Sequence, residues 1–320
     1  MQWALAACAG FSEQSSRSTL ESGAECFLKE YRNPRFNKGF RSRHSQFGED
    51  LVLLPTLLSI AARETRSFAG RFVELGALDG TSISNTFLLE RCFNWTGVLI
   101  EANPTNFAAL KGSSRRATKV HSAIGPRGTS IMMRTAGGPT ASQADASAWS
   151  ISAAQQTNVS CRPLSLIMQE TLPEPHTANL LSLDVEGAEA VVLATVDPAS
   201  FDLIVVESAM GSGDSISAKD AQVDRLITSA GLKLAPAPLA VSASRVYVKH
   251  PSLVHPLRDT RANASAQDVK EGDGTPPIVR HRRYSQVWVP SSGLNASHFA
   301  QVLMDTLSMR GSQKQVLSEG

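Results

Sequence analysis

The length, composition and charge of the chain exclude several classes of protein. It has 320 residues, 42% of them hydrophobic, which is enough for one large α/β domain with extensions. The formal net charge of +2 gives no strongly basic surface, so we predict no nucleic-acid partner. The apolar stretch from Trp3 to Gly10 is too short to span a membrane, and we predict no transmembrane segment. The four cysteines lie far apart without a Cys-x-x-Cys pair, which argues against a zinc ribbon or a disulfide scaffold.

The first part of the chain is expected to have little regular structure. Residues 1–44 are polar and lack periodicity, which predicts an irregular N-terminal arm. A helix is predicted over residues 51–62, directly after the polar side chains of Gln46, Glu49 and Asp50. These three side chains either line a cleft or cap the helix, and the sequence leaves both interpretations open.

The most informative stretch of the chain runs from Arg71 to Thr81. Its first half is a short apolar run with Glu74 inside it, which predicts a buried parallel strand. Gly76 and Gly80 then bound a tight turn, and a helix is predicted to begin at Thr81 or Ser82. A strand, a glycine turn and a helix N-terminus form a corner where open α/β sheets bind small molecules, beyond the carboxyl ends of the strands.

The residues of this turn indicate which small molecule it binds. Leu78 stands where a dinucleotide-binding turn has its middle glycine, and the carboxylate of Asp79 would repel phosphate. A carboxylate attracts an ammonium or a sulfonium, so the turn favours S-adenosylmethionine, which carries both and has no phosphate. Glu101 ends the next predicted strand, and an acid at that place holds ribose hydroxyls.

The middle of the chain continues the alternation of strands and helices. A helix over 104–111 and a strand over 118–125 complete a β-α-β-α-β run, which predicts a parallel sheet. Residues 126–160 are rich in Gly, Pro, Ser and Ala with only 129–134 strand-like, and we interpret them as a lid or an insertion. A short helix is expected over 164–172.

A second acidic strand end follows, and the domain then closes. Residues 179–189 predict a buried strand that ends in Asp184 and Glu186, then a turn and a helix. A further strand is predicted over 202–207, a helix over 218–230, and an antiparallel pair from 233–235 and 245–249. Residues 251–320 are predicted to be a linker and a C-terminal extension, in which 284–289 and 295–309 form a strand and an amphipathic helix that packs back on the domain.

Five short sequence blocks occur along the chain in an order that is typical of a known family. They are Ser45-Gln46-Phe47-Gly48-Glu49-Asp50, FVELGALDG (72–80), GVLIEANP (97–104), SAIG (122–125) and LDVEGAE (183–189). Together they resemble the FkbM family of S-adenosylmethionine-dependent methyltransferases over residues 45–250. The resemblance implies a class I methyltransferase fold: α/β, doubly wound, with a mostly parallel seven-stranded sheet and one antiparallel strand. It also implies O-methylation of a hydroxyl on a sugar or a small natural product.

The same resemblance assigns roles to individual residues. Glu74, Gly76 and Asp79 would border the methionine end of the cofactor, Glu101 would take the ribose, and Ser122 and Ala123 would border the adenine. The full set expected to bind the cofactor is Glu74, Gly76, Ala77, Asp79, Gly80, Asn85, Glu101, Ala102, Asn103, Ser122, Ala123 and Asp184.

Asp184 and Glu186 are the predicted catalytic residues. A hydroxyl acceptor needs a base, and if the two carboxylates share space, the pKa of one of them should rise. Alternatively, Asp184 binds the cofactor ammonium and Glu186 caps the next helix. His121 is a less favoured base, and we predict no metal site because no His-rich ligand set accompanies the acids.

Two other functions and the compartment remain open at this point. The chain is either a non-catalytic protein that binds S-adenosylmethionine or, less in keeping with Leu78, a nicotinamide-dependent oxidoreductase. The acceptor is expected to be a small molecule or a glycan. A cytoplasmic location is slightly favoured, while the apolar Trp3–Gly10 stretch and four Asn-x-Ser/Thr sequons, at Asn94, Asn158, Asn263 and Asn295, are compatible with the secretory pathway.

Overall fold

Helices and strands alternate along most of the chain. A computed structural model describes residues 13–31, 33, 44–46, 48–65, 67–134, 156–207, 218–235, 239, 244–254 and 296–308. The helices are α1 (Glu13–Tyr31), α2 (Glu49–Thr65), α3 (Phe87–Phe93), α4 (Pro104–Gly112), α5 (Leu164–Thr171), α6 (Glu189–Leu193), α7 (Ala218–Ser229) and α8 (Ala296–Ser308). The strands are β1 (Arg71–Leu75), β2 (Thr96–Glu101), β3 (Thr118–His121), β4 (Ala123–Ile124), β5 (Ser130–Arg134), β6 (Gln156–Arg162), β7 (Ala178–Leu183), β8 (Phe201–Glu207), β9 (Lys233–Leu234) and β10 (Ser244–Val248).

A seven-stranded sheet in the order β3-β2-β1-β7-β8-β10-β9 forms the centre of the fold. In this sheet, β3, β2, β1, β7 and β8 are parallel, whereas β10 runs antiparallel to both β8 and β9. The chain moves outward from β1 to β3 and then returns to β7 on the other side of β1. The carboxyl ends of β1 and β7 therefore flank a topological switch point, where open α/β sheets leave a crevice. The predicted fold class is confirmed.

Apolar side chains cover both faces of this sheet because successive residues of a strand point to opposite sides. In β8, Leu203 and Val205 belong to the cluster that packs against α1, α2, α3 and α8. Ile204 and Val206 belong to the cluster with α5, α6 and α7. The central strands are buried along almost their whole length, which explains their continuous apolar runs.

The predicted irregular arm before residue 45 is wrong for residues Glu13–Tyr31, which form the long helix α1. Its buried residues Leu20, Ala24, Phe27 and Leu28 recur at helical spacing and form one apolar face. This face packs against the C-terminal helix α8, where Phe299 lies 5.5 Å from Phe27 between ring centroids. The predicted amphipathic helix near the C-terminus is confirmed, and it covers α1.

Two further boundaries differ from the sequence prediction. The helix expected from Thr81 or Ser82 begins at Phe87, because the residues before it form a turn. The stretch 126–160, predicted to be a lid, contains the antiparallel strands β5 and β6, which form a small sheet with β4. Residues 135–155 and the predicted strand over 284–289 lie outside the described residues.

Within the described ranges, none of the helices combines the length and the apolar character that a membrane span requires.

Candidate functional site

The crevice at the switch point is defined by a close approach of two backbone turns. Gly76 follows β1 with φ +75°, and a Cβ built on it would lie 1.9 Å from the backbone oxygen of Asp184. The amide of Asp184 in turn donates to the carbonyl of Leu75 at 3.4 Å. Only glycine fits this position, since both the space and the left-handed conformation exclude a side chain. The predicted cofactor turn and the predicted catalytic acid therefore meet.

Asp79 organises the turn that follows Gly76. Its Oδ1 accepts from the amides of Thr81 and Ser82 at 2.8 and 2.7 Å, and its Oδ2 accepts from the Ser82 hydroxyl at 2.8 Å. These bonds explain why Thr81 and Ser82 form a turn and do not begin the helix. Leu78 has φ +51°, a conformation that costs energy for a branched side chain and is concentrated at functional loops. Ala77 and Gly80 complete the turn, with the Gly80 amide donating to the Ala77 carbonyl at 2.7 Å.

Glu74 holds the next segment of the same loop. Its Oε1 accepts from the amide of Asn85 at 2.8 Å. Its Oε2 accepts from the hydroxyls of Ser84 and Thr86 at 2.9 and 2.6 Å. The side chain is buried, so the carboxylate that the resemblance assigns to the methionine end is engaged with its own loop. The side chain of Glu74 thus shapes this loop.

Arg115 neutralises the buried acids behind the loop. Its guanidinium donates to Glu90 Oε2 at 3.1 Å and to the Gly80 carbonyl at 2.6 Å, and it lies 3.8 Å from Glu74 Oε2. It also donates to the hydroxyls of Ser84 and Thr86 at 3.1 and 2.8 Å. The planar fork of arginine suits this set of acceptors, which a lysine would not reach together. Arg115 therefore holds Gly80, Ser84 and Thr86 of the loop together.

Asn85 has a side-chain oxygen that is a buried acceptor without a donor among the described residues. Its Nδ2 donates to the Ser182 hydroxyl at 3.0 Å, which ties the loop to β7. Its Oδ1 is buried and accepts no hydrogen bond from the described residues. Buried polar atoms are almost always satisfied, so this oxygen is suited to accept from a bound ligand.

Glu101 connects the end of β2 to the glycine turn. Its two carboxylate oxygens accept from the amides of Leu78 at 2.8 Å and Asn103 at 2.7 Å. Burial raises the pKa of Glu101, while the backbone donors Asn103, Leu78 and Ala102 oppose the rise. Asn103 caps α4, because its side chain accepts from the amides of Thr105 and Asn106. The predicted ribose acid is therefore beside the turn, with much of its accepting capacity already used.

Ser122 and Ala123 lie just beyond β3, at the edge expected to border the adenine. The Ser122 hydroxyl donates to the Ala123 carbonyl at 2.7 Å. His121 stacks on Phe107 with 4.7 Å between centroids, and its Nε2 is 3.1 Å from the Ala102 carbonyl. Three strand spacings separate β3 from β7, or about 14 Å. This separation argues against His121 as the base beside Asp184.

Asp184 and Glu186 share space with a third acid, Glu207, at the end of β8. We call these three residues the carboxylate cluster; one oxygen of each lies within 4.8 Å of the others. Burial, followed by the neighbouring Glu207, raises the pKa of Asp184 to about 9. Partial desolvation, followed by the negative charge of Glu207, also raises the pKa of Glu186. The predicted sharing of space and the accompanying rise in pKa are both present.

Lys219 and Glu189 lie beside the carboxylate cluster and influence Glu186. Lys219 pairs with the fully buried Glu189 at 2.7 Å, and its charge opposes the rise in the pKa of Glu186. Glu189 Oε1 accepts from the Gly187 amide at 3.0 Å, so it is Glu189 that organises the turn before α6, while Glu186 is exposed with φ +54°. Three carboxylates at this spacing also resemble the oxygen ligands of a divalent cation, although the group contains no histidine.

The block around Gln46 contacts its own helix α2 and strand β10, and His44 just before it contacts α3. Asp50 accepts from the Ser45 hydroxyl at 2.6 Å and from the Leu51 amide at 2.9 Å, which fits the helix-capping interpretation. Glu49 accepts from the Ser244 hydroxyl at 3.1 Å and thereby ties α2 to β10. His44 stacks on Phe87, the first residue of α3, and burial lowers the pKa of His44.

Two residues of the site were not predicted from the sequence. Glu207 ends the strand predicted over 202–207, and its position beside Asp184 follows from the pairing of β7 with β8. Arg115 precedes β3 in a polar stretch, where no local pattern distinguishes it from its neighbour Arg116. The carboxyl ends of adjacent parallel strands meet at one edge, and this rule was the available signal for Glu207.

One known protein family matches the part of the chain that contains the site. The model of the FkbM methyltransferase domain matches residues 74–234, half of the chain. Among curated proteins, no sequence matches the chain. An FkbM methyltransferase from Methylobacillus flagellatus KT is 12% identical with a TM-score of 0.32, and the alignment covers 61% of this chain and 47% of that one.

Two other solved methyltransferases are similar at the same level. The plantazolicin methyltransferase BamL, solved with a triazolic desmethylPZN analog and SAH, is 10% identical with a TM-score of 0.33, over 69% of this chain and 79% of that one. CalO1, a methyltransferase in calicheamicin biosynthesis solved with SAH bound, is 14% identical with a TM-score of 0.28, over 61% and 54% of the two chains. The chain thus spans less than two thirds of CalO1 and of the Methylobacillus flagellatus protein.

Proposed function

Because the chain belongs to the FkbM methyltransferase family, we propose that it transfers the methyl group of S-adenosylmethionine to a hydroxyl of a sugar or a small natural product. The observation that supports this most directly is the crevice itself. The backbone of Gly76 touches that of Asp184, so the cofactor turn and the carboxylate cluster share one edge of the sheet. A donor and an acceptor bound there would be held side by side, which is the main requirement for an in-line displacement.

The residues that line the turn fit a cationic donor. S-adenosylmethionine supplies an electrophilic methyl group on a positively charged sulfur. The buried Oδ1 of Asn85 receives no hydrogen bond from the described residues, and the ammonium group of S-adenosylmethionine would donate one to it. Asp79 and the carboxylate cluster add negative charge, which favours a cation and opposes a diphosphate. Glu101 and the backbone after β3 would hold the nucleoside.

The carboxylate cluster would orient the acceptor and take its proton. Asp184 carries a proton at neutral pH because its pKa is about 9, so it donates to the neighbouring carboxylate. Glu186 and Glu207 then remain to accept a hydrogen bond from the acceptor hydroxyl. As the hydroxyl oxygen bonds to the methyl carbon, one of these two carboxylates takes the hydroxyl proton. Asp184 is therefore a positioning donor, and Glu186 or Glu207 is the base.

The chemistry of the cluster also narrows the acceptor. The negative charge of the cluster repels phosphate, sulfate and carboxylate groups, whereas its carboxylate oxygens accept hydrogen bonds from neighbouring hydroxyls. A polyhydroxylated, uncharged acceptor is the class that this arrangement suits best. Sugars and glycosylated natural products belong to that class.

Binding and turnover are tested separately. Calorimetric titration with S-adenosylhomocysteine and with NAD measures cofactor choice, and we expect binding of the first alone. Transfer of labelled methyl groups to a panel of neutral sugars and glycosides measures activity. Glu186→Gln and Glu207→Gln should lower kcat with little change in affinity for S-adenosylhomocysteine, whose sulfur carries no charge. The exposed Glu170→Gln serves as the matched control.

The outcomes distinguish the competing functions. Binding of NAD without binding of S-adenosylhomocysteine would refute the proposal. Tight binding of S-adenosylhomocysteine without transfer to any acceptor, including those in cell extracts, would favour the non-catalytic alternative. Full activity in both carboxylate variants would remove the carboxylate cluster from the mechanism and leave cofactor binding intact.

A further inference from the structure

A disulfide attaches the N-terminal helix to the core of the domain. Cys26 in α1 and Cys92 in α3 are joined, although they are 66 positions apart in the sequence. The two helices are in tight contact there, since a Cβ on Gly23 would lie 2.4 Å from the Phe93 ring. Arg91 and Glu30 form an ion pair across the same interface at 3.3 Å. Disulfides persist in oxidising compartments and are rare in the cytosol, so this bond points to a secretory lumen.

Two glycosylation sequons of the described residues are presented to solvent in the same way. In Asn94-Trp95-Thr96, the asparagine and the threonine are exposed while Trp95 is completely buried. In Asn158-Val159-Ser160, the asparagine and the serine are exposed while Val159 is buried. In β6 the period of two along an extended strand explains this arrangement, because it sends Asn158 and Ser160 to the same side. Asn94 instead lies in the left-handed conformation that ends α3. An Asn-x-Ser/Thr sequon is the acceptor of N-linked glycans in secreted proteins.

Asn94 is the better placed of the two. It follows α3 in a left-handed conformation, two residues after the cross-linked Cys92. Thr96 begins β2, whereas Glu101 ends that strand at the crevice, about 16 Å away at the usual rise per residue. Asn158 instead lies in β6, and Cys161 of the same strand pairs with Ala123. Asn158 is therefore three residues from the edge expected to border the adenine. A glycan on Asn94 leaves the crevice open.

We propose that Asn94 is an N-glycosylation site and that the chain matures in an oxidising lumen, where Cys26 and Cys92 are joined. Nδ2 of Asn94 forms a bond to C1 of the first sugar of a lipid-diphosphate-linked oligosaccharide. The bond from that carbon to the diphosphate oxygen breaks, the lipid diphosphate leaves, and the amide releases one proton. Oδ1 of Asn94 accepts from Arg116 at 3.1 Å, and this contact is compatible with substitution on Nδ2.

The test uses the full chain with its own N-terminus, produced in cultured eukaryotic cells. Free thiols are alkylated in the intact cells, so that any cross-link present was formed there. Peptide mapping without reduction then looks for a Cys26–Cys92 cross-link, and peptide N-glycosidase followed by mass spectrometry locates glycans. We expect the cross-link and a glycan on Asn94. Thr96→Ala should abolish this glycan, whereas Thr96→Ser should retain it.

Each other outcome overturns the proposal. Alkylated Cys26 and Cys92 would exclude maturation in an oxidising lumen. A cross-linked chain with unmodified Asn94, or with a glycan on Asn158 alone, would exclude the site. A mass shift that survives in Thr96→Ala would assign the glycan elsewhere. None of these results depends on whether the chain transfers methyl groups, so the proposed function is judged independently.

Discussion

Arg115 offers the sharpest test of how the loop between β1 and α3, residues 76–86, is held in place. Its side chain is 1% exposed, and it faces Glu74 and Glu90, which are 4% and 5% exposed. Arg115→Met keeps most of the apolar volume but leaves both acids without their cation. Removing one partner of a buried ion pair costs about 3–5 kcal/mol, because the remaining charge stays desolvated. We therefore expect the free energy of unfolding to fall by about 4 kcal/mol.

A second variant separates charge from geometry. Arg115→Lys keeps the positive charge and loses the fork that reaches Gly80, Ser84 and Thr86 together. Arg115→Lys should lower the free energy of unfolding by about 1–3 kcal/mol, which is the range for leaving buried polar partners unsatisfied. This loss is smaller than the one expected for Arg115→Met. The guanidinium also lies 5.5 and 5.7 Å from the Phe72 and Phe87 ring centroids, and lysine would lose part of that contact.

Urea denaturation at equilibrium provides the assay, with the midpoint and the slope fitted separately. Arg116→Met is the matched control, since Arg116 is exposed and its side chain donates to Asn94 and to the Glu90 carbonyl. Its backbone amide, which donates to Glu90 Oε1, is not altered by the substitution. It should change stability by about 1 kcal/mol or less. A double-mutant cycle of Arg115→Met with Glu90→Gln should give a coupling energy of about 0.5–3 kcal/mol. If Arg115→Met costs no more than Arg116→Met, the buried network does not hold the loop.

Three other predictions follow from the same site. Gly76→Ala should destabilise the fold by about 3 kcal/mol or more, because its Cβ meets the Asp184 backbone and its φ is +75°; Gly112→Ala, which meets nothing within 4 Å, is the control in the same urea assay. Glu101→Ala should weaken binding of S-adenosylhomocysteine by about 1–3 kcal/mol, and unchanged affinity in calorimetry would contradict the ribose placement. The pKa of Asp184 is raised from 3.8 to about 9 in the folded state, so its stabilising contribution is complete below 3.8 and is lost as the pH rises to about 9. Urea midpoints should therefore fall with pH across this interval, less steeply in Asp184→Asn, and an identical slope in both proteins would refute the shift.

The sequence predicted the outline of the site because its signals are local. Gly76 and Asp79 follow β1 and Glu101 ends β2, and both strands have short apolar runs, so the place of these residues at the carboxyl edge was predictable from order alone. The roles of these acids were less accessible. Asp79 and Glu74 turned out to bind the amides and hydroxyls of their own loop, which depends on a backbone path that no propensity encodes.

Contacts between distant segments were decided only by the tertiary structure. The polar character of residues 1–44 concealed a helix, since α1 is stabilised by its packing against α8 at the other end of the chain. Cys26 and Cys92 gave no sign of pairing for the same reason.

By itself, the sequence determined the doubly wound sheet, the glycine turn and the two acids that follow β7, because periodicity and turn chemistry act over a few residues. The tertiary structure alone decided that Glu207 joins Asp184, that Arg115 neutralises Glu74, and that a disulfide attaches α1. These partners lie on separate elements, and only the packing of those elements sets the distances on which their charges and bonds depend.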